Sequence, residues 1–200
     1  VQVGLGPGER LPAGPRGQRA RPRARGTRPW LPFLDAQGRY SLTPEALARE
    51  HAEMLAPYRT VIDPFCGCGG DAIAMAQAGL EVFAVESCPE RLALAQKNAE
   101  ACGVAGRIHF IGDQAERQLP TLTAQHPEAA VYLDPPWGGV NWERDRQGFD
   151  ELVPAALLPS LAAAPQVLLK APRALDPETL PDLGSSWRVR PAWNPRAASP

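Results

Sequence analysis

Lysine is nearly missing from this chain. Of 21 basic residues in 200, 19 are arginine, and Lys97 and Lys170 are the two lysines. With abundant alanine and proline, that bias resembles GC-rich coding and says little about function. No run of 18 apolar residues occurs, so no membrane-spanning helix is expected. No apolar h-region follows the amino terminus, so no secretory signal is expected either. The four cysteines are Cys66, Cys68, Cys88 and Cys102. The Cys66-x-Cys68 spacing is too tight for the usual zinc knuckle, and no second pair or nearby histidine completes a site. Reduced thiols, a cytoplasmic location and no metal are the simplest expectation.

Large apolar residues are also scarce in residues 1–28, which instead hold seven arginines (10, 16, 19, 21, 23, 25 and 28) and one acid, Glu9. Such a segment cannot build a core, and it reads as a disordered basic arm. The formal charge of the chain is −1, so an arm of +6 leaves −7 over residues 29–200. The arm is a candidate phosphate-binding tether or a solvated tail. Residues 29–195 form the candidate domain.

From residue 30 onward the order is regular. Residues 30–42 read as short extended pieces around a turn at Gln37-Gly38. Thr43-Pro44-Glu45 reads as a helix start, with Thr43 as N-cap, running to about Leu55. Apolar strands at 60–63, 81–85, 107–111, 129–133 and 166–170 alternate with helical stretches at 71–79, 89–103, 114–125 (interrupted by Pro120) and 149–163. A short helix near 176–183 and a strand near 186–190 follow. This alternation predicts an α/β fold, a Rossmann-like, doubly wound and mostly parallel sheet with helices on both faces. Right-handed crossovers place the strand C-terminal ends on one edge, where such sheets bind ligands.

The chemistry-bearing motifs fall on that edge. The first strand runs into 63-DPFCGCGGD-71, where Gly67-x-Gly69-x-x-Ala72 fits the loose dinucleotide fingerprint and Glu86 ends the next strand, 19 residues after Gly67. Glycines let a ligand approach the backbone, and an acid after the second strand can accept both hydroxyls of a ribose. A diphosphate would sit at the helix N-terminus, yet Asp63 and Asp71 flank this loop. Two carboxylates suit a cationic ligand, such as the amino group and sulfonium of S-adenosylmethionine. Asp113, after the third strand, stands where an acceptor for an adenine amine would, or acts as a helix cap.

The fourth strand ends in 134-DPPWGG-139. Pro135 and Pro136 fix φ and leave carbonyl acceptors exposed. Asp134 beside them can accept from an exocyclic amine, Trp137 offers a flat face for a base, worth about 1–3 kcal/mol of stacking, and Gly138-Gly139 permit close approach. Such an assembly would aim an aryl amine at a methyl on sulfur, working through positioning and electrostatics.

Together these segments resemble class I S-adenosylmethionine-dependent methyltransferases that act on base amines. More specifically, 61-VIDPFCGCGGDAIAMAQAG-79, 134-DPPWGG-139 and 39-RYSLTPEALAREHA-52 resemble the trimethylguanosine synthase family, which methylates guanine N2 of RNA caps. The resemblance implies that Asp63, Pro64, Phe65, Cys66, Gly67 and Gly69 line the methionine end of the cofactor. It implies that Glu86 and Ser87 meet the ribose, that Asp113 meets the adenine, and that Thr43 belongs to a helix closing over the cofactor. Asp134, Pro135, Pro136 and Trp137 would be catalytic, with Trp137, Gly138 and Gly139 holding the guanine of an RNA substrate. The chain departs from the family at Asp134, where a non-acidic residue is usual and where adenine-N6 and ribosomal guanine-N2 methyltransferases carry Asp. It departs again at Asp71, where Asn is common. No seventh strand is legible after 187-WRVRPAW-193, so the sheet is expected either to lack its last strand and leave the edge open, or to be completed by a segment whose pattern does not show it. Adenine-N6 methylation, a nicotinamide-dependent oxidoreductase and a non-catalytic RNA-binding module are the competing readings. The oxidoreductase leaves Asp134-Pro135-Pro136-Trp137 without a role.

Overall fold

A computed structural model describes residues 2–5, 29–136, 148–172, 175–183 and 187–190. Seven strands in these residues form one sheet. In chain order they are β1 (Gln2–Leu5), β2 (Thr60–Asp63), β3 (Glu81–Val85), β4 (Ile108–Ile111), β5 (Ala130–Leu133), β6 (Val167–Lys170) and β7 (Trp187–Arg190). Their spatial order is β4-β3-β2-β5-β6-β1-β7. The first five are parallel, as the alternation of apolar runs and helices requires.

The other edge corrects one expectation and decides another. Gln2–Leu5 is not part of a disordered arm: it pairs antiparallel with both β6 and β7. The sheet therefore has its last strands, and the one between β6 and β7 comes from the amino terminus. A four-residue strand beside a Gly/Pro/Arg-rich run carries too little periodicity to be read, whereas its eight register partners define it in the fold. Residues 6–28, which carry all seven arginines of the expected arm, lie outside the described residues.

Seven α-helices cover the described sheet: α1 (Ala36–Ser41), α2 (Glu45–Leu55), α3 (Gly70–Gln77), α4 (Pro89–Ala101), α5 (Ala115–Gln125), α6 (Phe149–Leu152) and α7 (Leu158–Ala163). The expected helix over 149–163 is broken into α6, a 3-10 turn at Ala155–Leu157 and α7, because Pro154 and Pro159 remove backbone donors. Pro120, by contrast, stays inside a continuous α5. The expected helix near 176–183 is only a 3-10 turn, Pro177–Thr179. The extended reading of 30–42 fails at α1, whose N-cap Asp35 accepts from the Gly38 N–H. Gly38 there serves packing rather than a turn, since a Cβ on it would lie 2.5 Å from Cys68 Sγ.

Strand alternation sorts the core into two layers. Ile62, Val131, Leu133, Val167 and Leu169 face α5, α6 and α7. Val61, Val82, Ala130, Tyr132 and Leu168 face the other way, against Ala52, Leu55, Ile73 and Met75 of α2 and α3. Continued to the strand ends, this second parity carries Asp63, Asp134 and Lys170 onto the face that α2 and α3 cover.

Candidate active site

The first loop leaves β2 through Asp63, which is 1% exposed. One of its oxygens accepts from the Phe65 N–H at 3.1 Å. Burial, then the nearby Asp71, Asp134 and Glu86 carboxylates, raise its carboxyl well above the ordinary range, although the Phe65 bond opposes this. The loop is pinned by Cys66 N–H to Val85 O and Gly69 N–H to Cys66 O. Gly67 and Gly69 have φ of +55° and +87°, a region favourable to glycine. Gly69 is also crowded, with a Cβ placed there 3.2 Å from Ala95 Cβ. Gly67 is open: a Cβ on it would approach only Arg91 Cδ, at 3.9 Å.

Glu86 follows β3 and receives two backbone donors, Gly67 N–H at 3.1 Å and Cys88 N–H at 2.8 Å. Its carboxylate is thereby oriented at the rim of the loop, with Arg91 3.7 Å away and Ser87 exposed beside it. Arg91 also reaches Asp35 and Gln37. Asn98, fully buried on α4, accepts from Phe33 N–H and donates to Phe33 O and Cys68 O. These two side chains fasten the segment before α1 to the glycine loop. Asp113 does not cap α5, whose N-cap is Gln114 with no side-chain cap bond; it accepts from Gln114 N–H and Gln118 Nε2, each at 2.8 Å. Those bonds, with Arg117 nearby, hold its carboxyl below the usual value. One-quarter of its side chain remains exposed beyond the end of β4 (27%).

Asp71, in the first turn of α3, is a hub. It accepts from Thr43 Oγ1 at 2.6 Å and pairs with His51 Nδ1 at 2.8 Å. Tyr132 OH lies 3.1 Å from the same nitrogen. Burial opposes ionisation of Asp71, but the His51 contact, Lys170 and Thr43 outweigh it and hold its carboxyl below the ordinary value. Thr43 therefore does not cap α2. Pro44 precedes that helix with its carbonyl accepting from Leu47 and Ala48, and no side chain caps it. Thr43 hydroxyl instead donates to Asp71 and accepts from Lys170 Nζ at 2.9 Å, leaving it 2% exposed. The long-range bond to a buried carboxylate wins over the local cap.

At the end of β5, Asp134 Oδ2 accepts from Lys170 Nζ at 2.6 Å. Asp134 remains one-fifth exposed (21%), Pro135 is buried and Pro136 is exposed. Trp137, Gly138 and Gly139 lie outside the described residues. The C-terminal edge of the sheet thus carries Asp63, Pro64, Phe65, Cys66, Gly67, Gly69, Glu86, Asp134 and Pro135, with Phe65 packed on the first core layer, Cys66 in the second, and Thr43 buried behind Asp71 and Lys170. Sequence reasoning missed Lys170 and His51. Lys170 carried a legible signal, as a charged residue closing the apolar strand next to the one that ends in Asp134.

The residues present fit S-adenosylmethionine on chemical grounds. The Asp63, Asp71, Asp134 and Glu86 acids outnumber the two cations beside them, Lys170 and Arg91, and Asp63 has no cationic partner within salt-bridge distance among the described residues. A buried carboxyl in that state favours a ligand that brings positive charge. The open Gly67 face lies between Asp63 and Glu86 along the loop.

The family described as RNA cap guanine-N2 methyltransferase matches residues 58–166. The trimethylguanosine synthase of Schizosaccharomyces pombe is 34% identical over 116 residues, covering 55% of this chain and 48% of that one. The 23S rRNA (uracil(1939)-C(5))-methyltransferase of Shewanella sp. (strain MR-7) is 34% identical over 71 residues, covering 34% of this chain and 16% of its own. Among solved structures, a SAM-dependent methyltransferase from Neisseria gonorrhoeae aligns at 27% identity and a TM-score of 0.46, over 69% of this chain and 60% of that one. The chain spans less than half the length of these two curated relatives. With more than half of its residues matched, this chain belongs to the RNA cap guanine-N2 methyltransferase family of RNA methyltransferases, whose cofactor is S-adenosylmethionine.

Proposed function

We propose that this protein transfers a methyl group to the exocyclic N2 amine of a guanine in RNA. The observation that carries the reading is the position of Asp134-Pro135 at the end of β5. That strand pairs directly with β2, whose own end supplies Asp63 and the glycine loop. A base-amine acceptor and a cofactor loop on neighbouring strand ends are within reach of one another.

S-adenosylmethionine supplies a methyl group on a cationic sulfur. Asp63 holds the ligand's ammonium, the backbone of Phe65 to Gly69 lies against its methionine end, Glu86 accepts from the ribose and Asp113 from the adenine amine. The Thr43 hydroxyl works one layer back, as a link between Lys170 and Asp71. Asp134 and the Pro135 carbonyl accept from the N–H groups of the base and so aim the amine lone pair. Trp137 stacks on the ring, and Gly138 and Gly139 leave room for it. The arginines between positions 10 and 28 contact RNA phosphates, offsetting the −7 charge of residues 29–200.

The test replaces guanine with inosine, which lacks only the 2-amine, in an RNA that the protein methylates. The reading expects no transfer to the inosine RNA, and Trp137→Ala to lose most turnover while still binding cofactor. Equal methylation of both RNAs, or methyl groups on adenine, would refute it.

A further inference from the structure

Lys170 and Asp134 end adjacent parallel strands. Leu133 and Leu169 are register partners, so the next residue on each chain stands beside the other. Lys170 is fixed from its opposite side by pairing with Gln2 of β1. Its Nζ donates to Asp134 Oδ2 at 2.6 Å and to Thr43 Oγ1 at 2.9 Å. Thr43 donates onward to Asp71, and Asp71 meets His51 of α2. A continuous polar chain therefore runs from the proposed base-binding carboxylate to the middle of a packed helix. Among the described residues no hydrogen bond reaches Asp134 Oδ1.

Two consequences follow for a carboxylate that must accept from an amine. A protonated carboxyl has a donor where an acceptor is needed, and amines of this kind offer only N–H groups in the plane of the base. Burial and then the Asp71 carboxylate on α3 favour the proton on Asp134, and Asp63 on β2 and Tyr132 on β5 also face the pair, while His51 on α2 acts the other way. The Lys170 ammonium is the opposing charge in direct contact. Its bond also fixes which oxygen is occupied.

Resting on the proposed amine methylation, we propose that Lys170 is a positioning residue: it holds Asp134 ionised and rotated so that Oδ1 is the acceptor presented to the exocyclic amine. Lys170 itself does not touch the base.

The test needs no RNA in its first arm. Infrared difference spectra of carbon-13 aspartate-labelled protein, with Asp134→Asn to identify the band, give the titration midpoint of Asp134. Lys170→Met should raise that midpoint by about one pH unit or more, and Lys170→Arg should restore it. Lys170→Gln, which keeps a donor but not the charge, should behave as Lys170→Met and replaces it if that variant does not fold. In the second arm the acid limb of kcat should move upward with the midpoint, while the KM for S-adenosylmethionine changes less than about twofold. An unmoved midpoint, or an acid limb that does not follow it, would overturn the proposal. If the wild-type protein methylates no base amine, the functional reading and the role built on it fall together. If the wild type methylates guanine and the midpoint is unmoved, only the role of Lys170 falls.

Discussion

Replacing Asp71 with alanine tests the hub that joins α2, α3 and β5. The substitution leaves Thr43 Oγ1 without its acceptor and His51 Nδ1 with Tyr132 OH alone, in a region where His51 is 0% and Thr43 2% exposed. An unsatisfied buried donor costs about 1–3 kcal/mol, and breaking a buried charged pair from one side about 3–5 kcal/mol. Asp71 also repels Asp63 and Asp134, so its removal relieves part of this. The net loss should be about 3–4 kcal/mol. For a domain of this size each kcal/mol shifts Tm by about 2–4 °C, so a fall of roughly 10 °C is expected in a thermal melt followed by circular dichroism at pH 7. Because the Asp71 carboxyl is held below its ordinary value in the fold, its stabilisation is complete above the unfolded value of about 3.9. It fades as pH falls toward the folded value, so the gap between wild type and Asp71→Ala should close below about pH 4. Asp71→Asn, which keeps an acceptor for Thr43, should lose less. A melt within about 2 °C of wild type for Asp71→Ala would refute the hub.

Asp63, whose carboxyl burial raises above its ordinary value in the free protein, has to be ionised to meet a cationic ligand. S-adenosylmethionine binding should therefore tighten as pH rises and release a proton, seen as a calorimetric enthalpy that depends on the buffer. A buffer-independent enthalpy would contradict the role of Asp63. Glu86→Ala should weaken cofactor binding at least about tenfold, the loss of one charge-assisted hydrogen bond or more, and an unchanged dissociation constant would contradict the ribose assignment. Deleting residues 1–5 removes the strand between β6 and β7 and should lower Tm. Changing the arginines between 10 and 28 to glutamine should leave Tm unchanged, weaken RNA binding and flatten its salt dependence. An unchanged salt slope would remove those arginines from the RNA interface.

The parallel half of the fold was legible because each strand is a short apolar run bounded by turn residues, and the acids proposed for the site, Asp63, Glu86 and Asp134, stand at strand ends. What escaped depended on contacts distant in sequence. Gln2–Leu5 is defined by partners at Val167–Lys170 and Trp187–Arg190, more than 160 residues away. Thr43 looked like a cap because local spacing does not reveal Asp71, 28 residues on. Gly38 looked like a turn residue because the sequence does not show Cys68 Sγ lying against it. Lys170 lies 36 residues from Asp134, and only parallel register makes them neighbours.

Guanine-N2 methylation is tested most directly by incubating this chain with methyl-labelled S-adenosylmethionine and RNA, digesting the RNA to nucleosides and identifying the labelled one by mass spectrometry. Label should appear in N2-methylguanosine. Label in N6-methyladenosine or in a methylated pyrimidine, or cofactor binding with no label in any RNA, would contradict it.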